Sequence, residues 1–431
     1  MISKKKNLGL ALFAVLVIAG ITGCNDTLRQ FINPVPQPGG DPQALSHAVV
    51  LSTNPVGNGS DLHINVSGDS VAGVVNTGPN PVFLGKNANR AFVLNSDNTI
   101  TSYIALLPGS STPNTITQPA TVTGAIAGGF SSVGNFYVAN SGSNNTSEVG
   151  TGVSAVLGAF PTGTQPVAVV GNAANSKLYV VNRGSNNVTP ISTTDNTVLN
   201  PITVGTQPVW GVMSADGAHV FIVNQGDGTV SVIDTLLDVV IATVPVGASP
   251  NYAIYESKLQ RVYVSNTGSN TISIIKADNT DLANGILPVN LANVPVSGRP
   301  TSVAALSDGS RAYAALGNCP AGTNHTTIVA TVLAGGCTGN SVSVIDALAL
   351  KEKKVIPIGN AGSGTVSIDA ANDASRVYVV ASNDRSVSII KTAGDVVTAT
   401  FPAPQQNLSC FASTNCPANV AQIPFAVRIF P

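Results

Sequence analysis

A strand–turn–strand phrase repeats along this chain at a fixed interval, and that interval limits the folds open to it. The phrase is clearest at His219–Asp234, HVFIVNQGDGTVSVID. Apolar and β-branched residues lead into Asn224, a glycine-rich turn follows, and alternation resumes from Val230 to Ile233. It recurs at Leu178–Ile191 (LYVVNRGSNNVTPI) and Val262–Ile275 (VYVSNTGSNTISII), so Asn182, Asn224 and Asn266 stand 42 residues apart. A period of this length built from strands alone predicts an all-β fold, a β-propeller of four-stranded blades. A chain of 431 residues usually divides into domains, but a closed repeat array uses such a length in one.

Counting the second strand of each blade gives eight copies. They end at Asn54, Asn95, Asn140, Asn182, Asn224, Asn266, Leu316 and Ala381. Seven have a short innermost strand before them, usually opened by proline, which suits a strand start because its missing N–H costs nothing there. These begin at Pro81, Thr121, Pro166, Pro208, Pro250, Pro300 and Thr365. The first copy lacks one, and Pro424–Ile429 at the far end of the chain supplies it. Eight blades closed by that strand are therefore expected, with seven as the alternative if the Asn140 copy is partly linker. Closure removes the sheet edges that an open array exposes.

The quoted phrases resemble the YVTN-type propeller repeat family over residues 45–431. That resemblance implies a propeller, in a family where many members are exported and have no assigned catalysis. It identifies no ligand.

Residues 1–23 read as a signal peptide: Lys4–Lys6 precede an apolar run from Leu8 to Ile21. Ile21-Thr22-Gly23-Cys24 resembles the lipobox of bacterial lipoproteins, which implies acylation of Cys24 and a membrane partner through lipid. A transmembrane anchor is the competing reading of the same run. Residues 24–44 are polar and rich in Pro and Gly, a flexible tether to a single domain at 45–431. Asn25 is not the aspartate linked to inner-membrane retention, so an outer-membrane location is expected. Cleavage removes three lysines and no acid, taking the net charge from −1 to −4. A charge-poor, weakly acidic surface excludes nucleic acid as the expected partner.

Four cysteines follow Cys24, and in an exported chain they predict two disulfides, the local pairing being Cys319–Cys337 and Cys410–Cys416. A zinc site competes, but no CxxC pair is present. Each pair lies in a segment that breaks the period, 318–338 and 403–423. In an up-and-down blade the second-to-third turn and the fourth-to-first connection leave the same face, so both insertions should rise from one side of the disc. Asn324, His325, Gln405, Asn407 and Phe411 are the candidate binding residues on them. Trp210, Tyr252 and Arg299 are the candidate channel residues, aligned with or beside innermost strands.

No catalytic residue, metal site or cofactor is expected. The four histidines (His47, His63, His219, His325) show no ligand spacing, and His219 reads as a solvated strand start. No GxSxG, P-loop or HExxH motif occurs. The repeated turn asparagines are expected to satisfy turn amides and to take left-handed backbone. The expected function is a monomeric, non-catalytic platform for a protein or glycan partner. A lactonase-like hydrolase or another propeller enzyme working at the channel is the alternative.

Overall fold

The computed structural model describes residues 46–54, 57–88, 90–105, 113–403 and 422–430, all within one compact unit, Ala44–Pro431. These residues form eight four-stranded antiparallel sheets. We number the blades by chain order of their innermost strands. Blade 1 begins with Pro81–Asn87, blade 2 with Ala125–Phe130, blade 3 with Pro166–Val170 and blade 4 with Pro208–Met213. Blades 5, 6 and 7 begin with Pro250–Glu256, Pro300–Ala305 and Thr365–Ala370. Blade 8 is composite: Ile423–Phe430 is innermost, followed outward by His47–Thr53, Asn58–Asn65 and Ser70–Pro79. The innermost strands contact one another in that order, and Ile423–Phe430 touches blade 1 to close the ring. The Asn140 copy is a full blade, so the count is eight.

Both faces of each blade meet a neighbour, which is why the second strands read as unbroken apolar runs. Leu178–Val181, Val220–Val223 and Val377–Ala381 have no solvent exposure. Fourth strands lie at the rim and alternate, as in Val239–Pro245. The innermost strand of blade 2 starts at Ala125, not at Thr121 as the sequence pattern predicts. Two glycines explain the choice of AIAGGF. A Cβ on Gly128 would sit 2.3 Å from the Phe136 ring, and one on Gly129 would sit 2.4 Å from the Val169 carbonyl. Strands converge here at small radius, and only glycine permits the approach.

The strand-end asparagines act differently from expectation. The left-handed residue of the turn is a later one: Asn144, Asn186, Gly228 and Asn270 have positive φ. Asn182 Nδ2 instead donates across the turn to Asn187 Oδ1 (2.9 Å) and Thr189 Oγ1 (2.9 Å). Asn224 does the same to Thr229 and Ser231, and Asn266 to Thr271 and Ser273. Each asparagine thus ties the second strand to the third.

A second periodic device joins blade to blade on the opposite face. Tyr179 Oη donates to Asp238 Oδ1 (2.8 Å) in the next blade, and Lys177 pairs with the same carboxylate at 2.7 Å. Tyr313 and Arg311 both reach Asp395 at 2.5 Å. Tyr137 donates to Asn196, and Arg376 pairs with Asp69 at 2.6 Å. Asp69, Asn196, Asp238 and Asp395 hold positive φ in third-to-fourth turns, a conformation Asp and Asn tolerate.

The seam between blades 8 and 1 carries a buried polar cluster. Asp61 and His63 are wholly buried, and Tyr103 Oη donates to Asp61 Oδ2. His47 and His63 each place Nδ1 3.0 Å from the Ala105 carbonyl. Burial raises the Asp61 carboxyl to about 7 against the opposing Tyr103 hydrogen bond. Burial, aided by His47, lowers His63 to about 3. His219 is likewise buried rather than solvated, and burial lowers its pKa.

Candidate functional site

Innermost strands run from the face of the second-to-third turns to the face of the first-to-second turns, so the central channel has two distinct mouths. The insertion of blade 6, Gly317–Gly339, covers the first. Cys319 and Cys337 form a disulfide across its base, and a short helix, Ile328–Leu333, lies within it. It reaches five other blades, four of them by hydrogen bonds. His325 Nε2 lies 2.5 Å from the Val167 carbonyl in blade 3. Gln225 Nε2 of blade 4 donates to Gly322 O at 3.1 Å, and Asn324 Nδ2 donates back to Gln225 Oε1 at 3.2 Å. Gly322 N donates to Thr267 Oγ1 of blade 5 (3.0 Å), and Asn383 Nδ2 of blade 7 donates to Cys337 O (2.7 Å). Ile328 packs into the core beside blade 8. The insertion is a cap seated across the channel.

Beneath the cap is a chamber of about 70 Å³, lined by Phe83, Trp210, Tyr252, His325, Ile328 and Arg428 among others. The Trp210 ring centroid lies 4.7 Å from that of His325 and 5.0 Å from that of Tyr252. Trp210 Nε1 donates to Ala253 O at 3.1 Å, which fixes the indole. Burial, reinforced by the Arg428 charge, lowers His325 to about 4, so its ring is neutral at pH 7.

The other mouth is open and widens to a vestibule of about 620 Å³. Phe83, Trp210, Tyr252 and Arg428 line both spaces and form the waist between them. Further out, Lys86, Phe130 and Asp369 stand at the ends of three innermost strands. Lys86 Nζ donates to Ile429 O at 2.5 Å. Asp369 Oδ2 accepts the Ile429 N–H at 2.9 Å, and Oδ1 accepts the Ala370 N–H at 3.0 Å. Arg428 Nη1 donates to Val427 O at 3.0 Å, and its guanidinium interacts with the Tyr252 hydroxyl across the channel. Lys86 is solvent-reachable but walled by protein. Desolvation lowers its pKa, Asp369 opposes that, and Arg428 adds to it.

Of the residues singled out from sequence, Trp210 and Tyr252 meet in the channel waist. Arg299 does not enter the channel: it is exposed at the capped rim, its Nη1 3.4 Å from Cys319 O. The channel arginine is Arg428. Asn324 is 4% exposed and hydrogen-bonded to Gly322 and Thr326 within the cap and to Gln225 of blade 4, and His325 faces the chamber. Gln405, Asn407, Phe411 and the Cys410–Cys416 pairing lie outside the described residues, as do residues 1–45. Sequence reasoning passed over Lys86, Asp369 and Arg428. Their signal was legible: a charged residue near the end of an otherwise apolar innermost strand.

The chain matches no protein-family model and no curated protein sequence. Solved structures do resemble it. Dihydro-heme d1 dehydrogenase NirN in complex with DHE is 12% identical, with a TM-score of 0.64 over 91% of this chain and 77% of that one. A functionally unknown protein from Desulfotomaculum acetoxidans DSM 771 is 10% identical, TM-score 0.51, over 89% and 98%. The β-propeller domain of Myceliophteria thermophila Cps50 (Swd1) is 9% identical, TM-score 0.51, over 70% and 92%. At such identities the likeness concerns fold. Together with the sheet topology it defines the class: an eight-bladed β-propeller.

Proposed function

We propose that this chain is an exported, lipid-anchored propeller of the YVTN-repeat type that serves as a monomeric, non-catalytic platform for a protein or glycan partner at the cell envelope, in the outer membrane where the cell has one. One observation carries the platform reading. The insertion at 317–339 closes a channel mouth and is tied to four other blades, so the capped face offers a fixed surface rather than a free loop. A pre-ordered surface loses less entropy on docking than a free loop does. The outer side of the cap carries exposed Ala330 and Leu333.

The test uses the whole domain from residue 46, with the partner recovered from an envelope extract. The double substitution Ala330→Arg, Leu333→Arg is expected to leave the melting temperature unchanged and to lower capture at least tenfold. Unchanged capture by the folded variant places the docking surface elsewhere.

The anchor has its own experiment, resting on Ile21–Cys24. Cys24→Ser is expected to release the protein from the membrane fraction. Retention after carbonate washing means that the apolar run spans the bilayer instead.

A further inference from the structure

We propose that the open vestibule, on the face opposite the cap, is a binding site for a small organic anion: a carboxylate on a flat aromatic body, its charge at Lys86 and Arg428 and its ring against Trp210.

Two cations and one acid, Lys86, Arg428 and Asp369, meet at this mouth. The acid does not neutralise either cation by contact: among the described residues neither forms an ion pair with it. Asp369 is instead held by two backbone N–H groups, from Ile429 and Ala370. Lys86 spends one donor on the Ile429 carbonyl and keeps two. Arg428 spends donors on Val427 O and the Tyr252 hydroxyl, and a guanidinium has five. The recess therefore holds one excess positive charge and unused donors inside an open vestibule whose walls are protein. A charge set in a cleft with low-dielectric walls attracts an anion more than a charge on a flat surface does.

The apolar part is the waist. Trp210 and Tyr252 lie 5.0 Å apart by centroid, and Phe83 and Phe130 line the same recess. A volume of about 620 Å³ falls in the range of small-molecule sites, which combine apolar walls with a few placed polar groups. Inorganic anions would use only the cations. A flat aromatic carboxylate uses both halves, with its ring on the indole face and its oxygens at the fork of Arg428.

Trp210 is the only tryptophan in the chain, so its emission reports on this site without a label. Benzoate, 4-nitrobenzoate and 2-naphthoate are titrated into the domain, with 4-nitrobenzyl alcohol as the neutral control and inorganic phosphate as the ring-free one. Emission is corrected for probe absorbance, and calorimetry gives an independent Kd. The expected result is saturable quenching by 4-nitrobenzoate, with the alcohol and phosphate each at least tenfold weaker. Lys86→Gln, a change at a solvent-reachable side chain, should keep the melting temperature and weaken carboxylate binding about tenfold. Arg428→Lys, which keeps the charge and removes the fork, should weaken it as well. Equal affinity for acid and alcohol, or no change in Lys86→Gln, means apolar partition and overturns the assignment. Phosphate binding as tight as the carboxylates overturns its aromatic half, and no saturable binding of any carboxylate overturns the whole. None of these outcomes bears on the capped face.

Discussion

Deleting residues 424–431 is expected to abolish the folded monomer. The deletion removes all but the first residue of the strand Ile423–Phe430, which pairs with His47–Thr53 along its length, from His47 opposite Phe430 to Thr53 opposite Ile423. That strand buries Phe425, Val427, Ile429 and Phe430, each 3% exposed or less. At about 1.5–3 kcal/mol for each large apolar side chain, the loss is roughly 6–12 kcal/mol, comparable to the whole stability of a domain. It also removes Arg428 from the channel and leaves His47–Thr53 as an unpaired edge facing the axis. Circular dichroism and size-exclusion chromatography of the truncated domain should show an unfolded or associated protein. A monomer with an unchanged melting temperature would show that the ring does not depend on this strand.

The second large effect is a change in pH dependence from Asp61→Asn. Asp61 in the folded state titrates near 7, well above its unfolded value, so the native state holds a proton that the unfolded chain has released. Its contribution is complete below about pH 4 and is lost as pH rises to 7. His63 is depressed to about 3, so the unfolded chain binds the extra proton and stability is lost as pH falls below 6.5. The two slopes oppose each other between about pH 4 and 6.5, so the seam itself adds little pH dependence there; His219 and His325, also depressed by burial, add the same loss on acidification to wild type and variant alike. Asparagine keeps an acceptor for Tyr103 and never ionises. It avoids an ionisation cost on the order of 4 kcal/mol at pH 8, less the cost of an unpaired amide donor, for a net gain of about 2 kcal/mol. With His63 no longer opposed by Asp61, the variant should lose about 1.4 kcal/mol per pH unit more than the wild type on acidification through this window. Urea unfolding of both proteins at pH 4.5, 6 and 8 decides it: parallel profiles would mean that Asp61 does not carry the seam's proton.

The ring was written in the local pattern. Each blade is a run of residues whose alternation, glycine turn and proline start are set within about 42 positions, so the period shows without knowledge of what packs on what. The closing strand was legible for a related reason: the first copy lacked an innermost strand and the last stretch had one to spare. The start of blade 2 was not legible, because Thr121–Thr123 has better strand propensity than AIAGGF. The decision there belonged to Phe136 and the Val169 carbonyl, whose closeness leaves no room for a Cβ.

The channel divides in the same way. Composition and spacing singled out Trp210, Tyr252 and the cysteine pair at 319 and 337, and they set the length of the insertion. Nothing in the residues of 318–338 states where that insertion lies. It was expected on one face of the disc, either as a docking loop or as a cover for the channel, and it lies across the channel because His325, Asn324 and Ile328 find partners on blades 3, 4 and 8, which are more than 90 residues distant in sequence. Arg299 was expected in the channel, and Arg428 was not singled out. Arg299 precedes its strand and lies on the capped rim, whereas Arg428 is within its strand and turns to the axis beside Tyr252 of blade 5. Sequence determined the repeat, the closure and the chemistry available, because these depend on neighbours along the chain. The direction a side chain takes across the axis, the sealing of one mouth and the excess charge at the other depend on contacts between blades, and only the closed ring decides them.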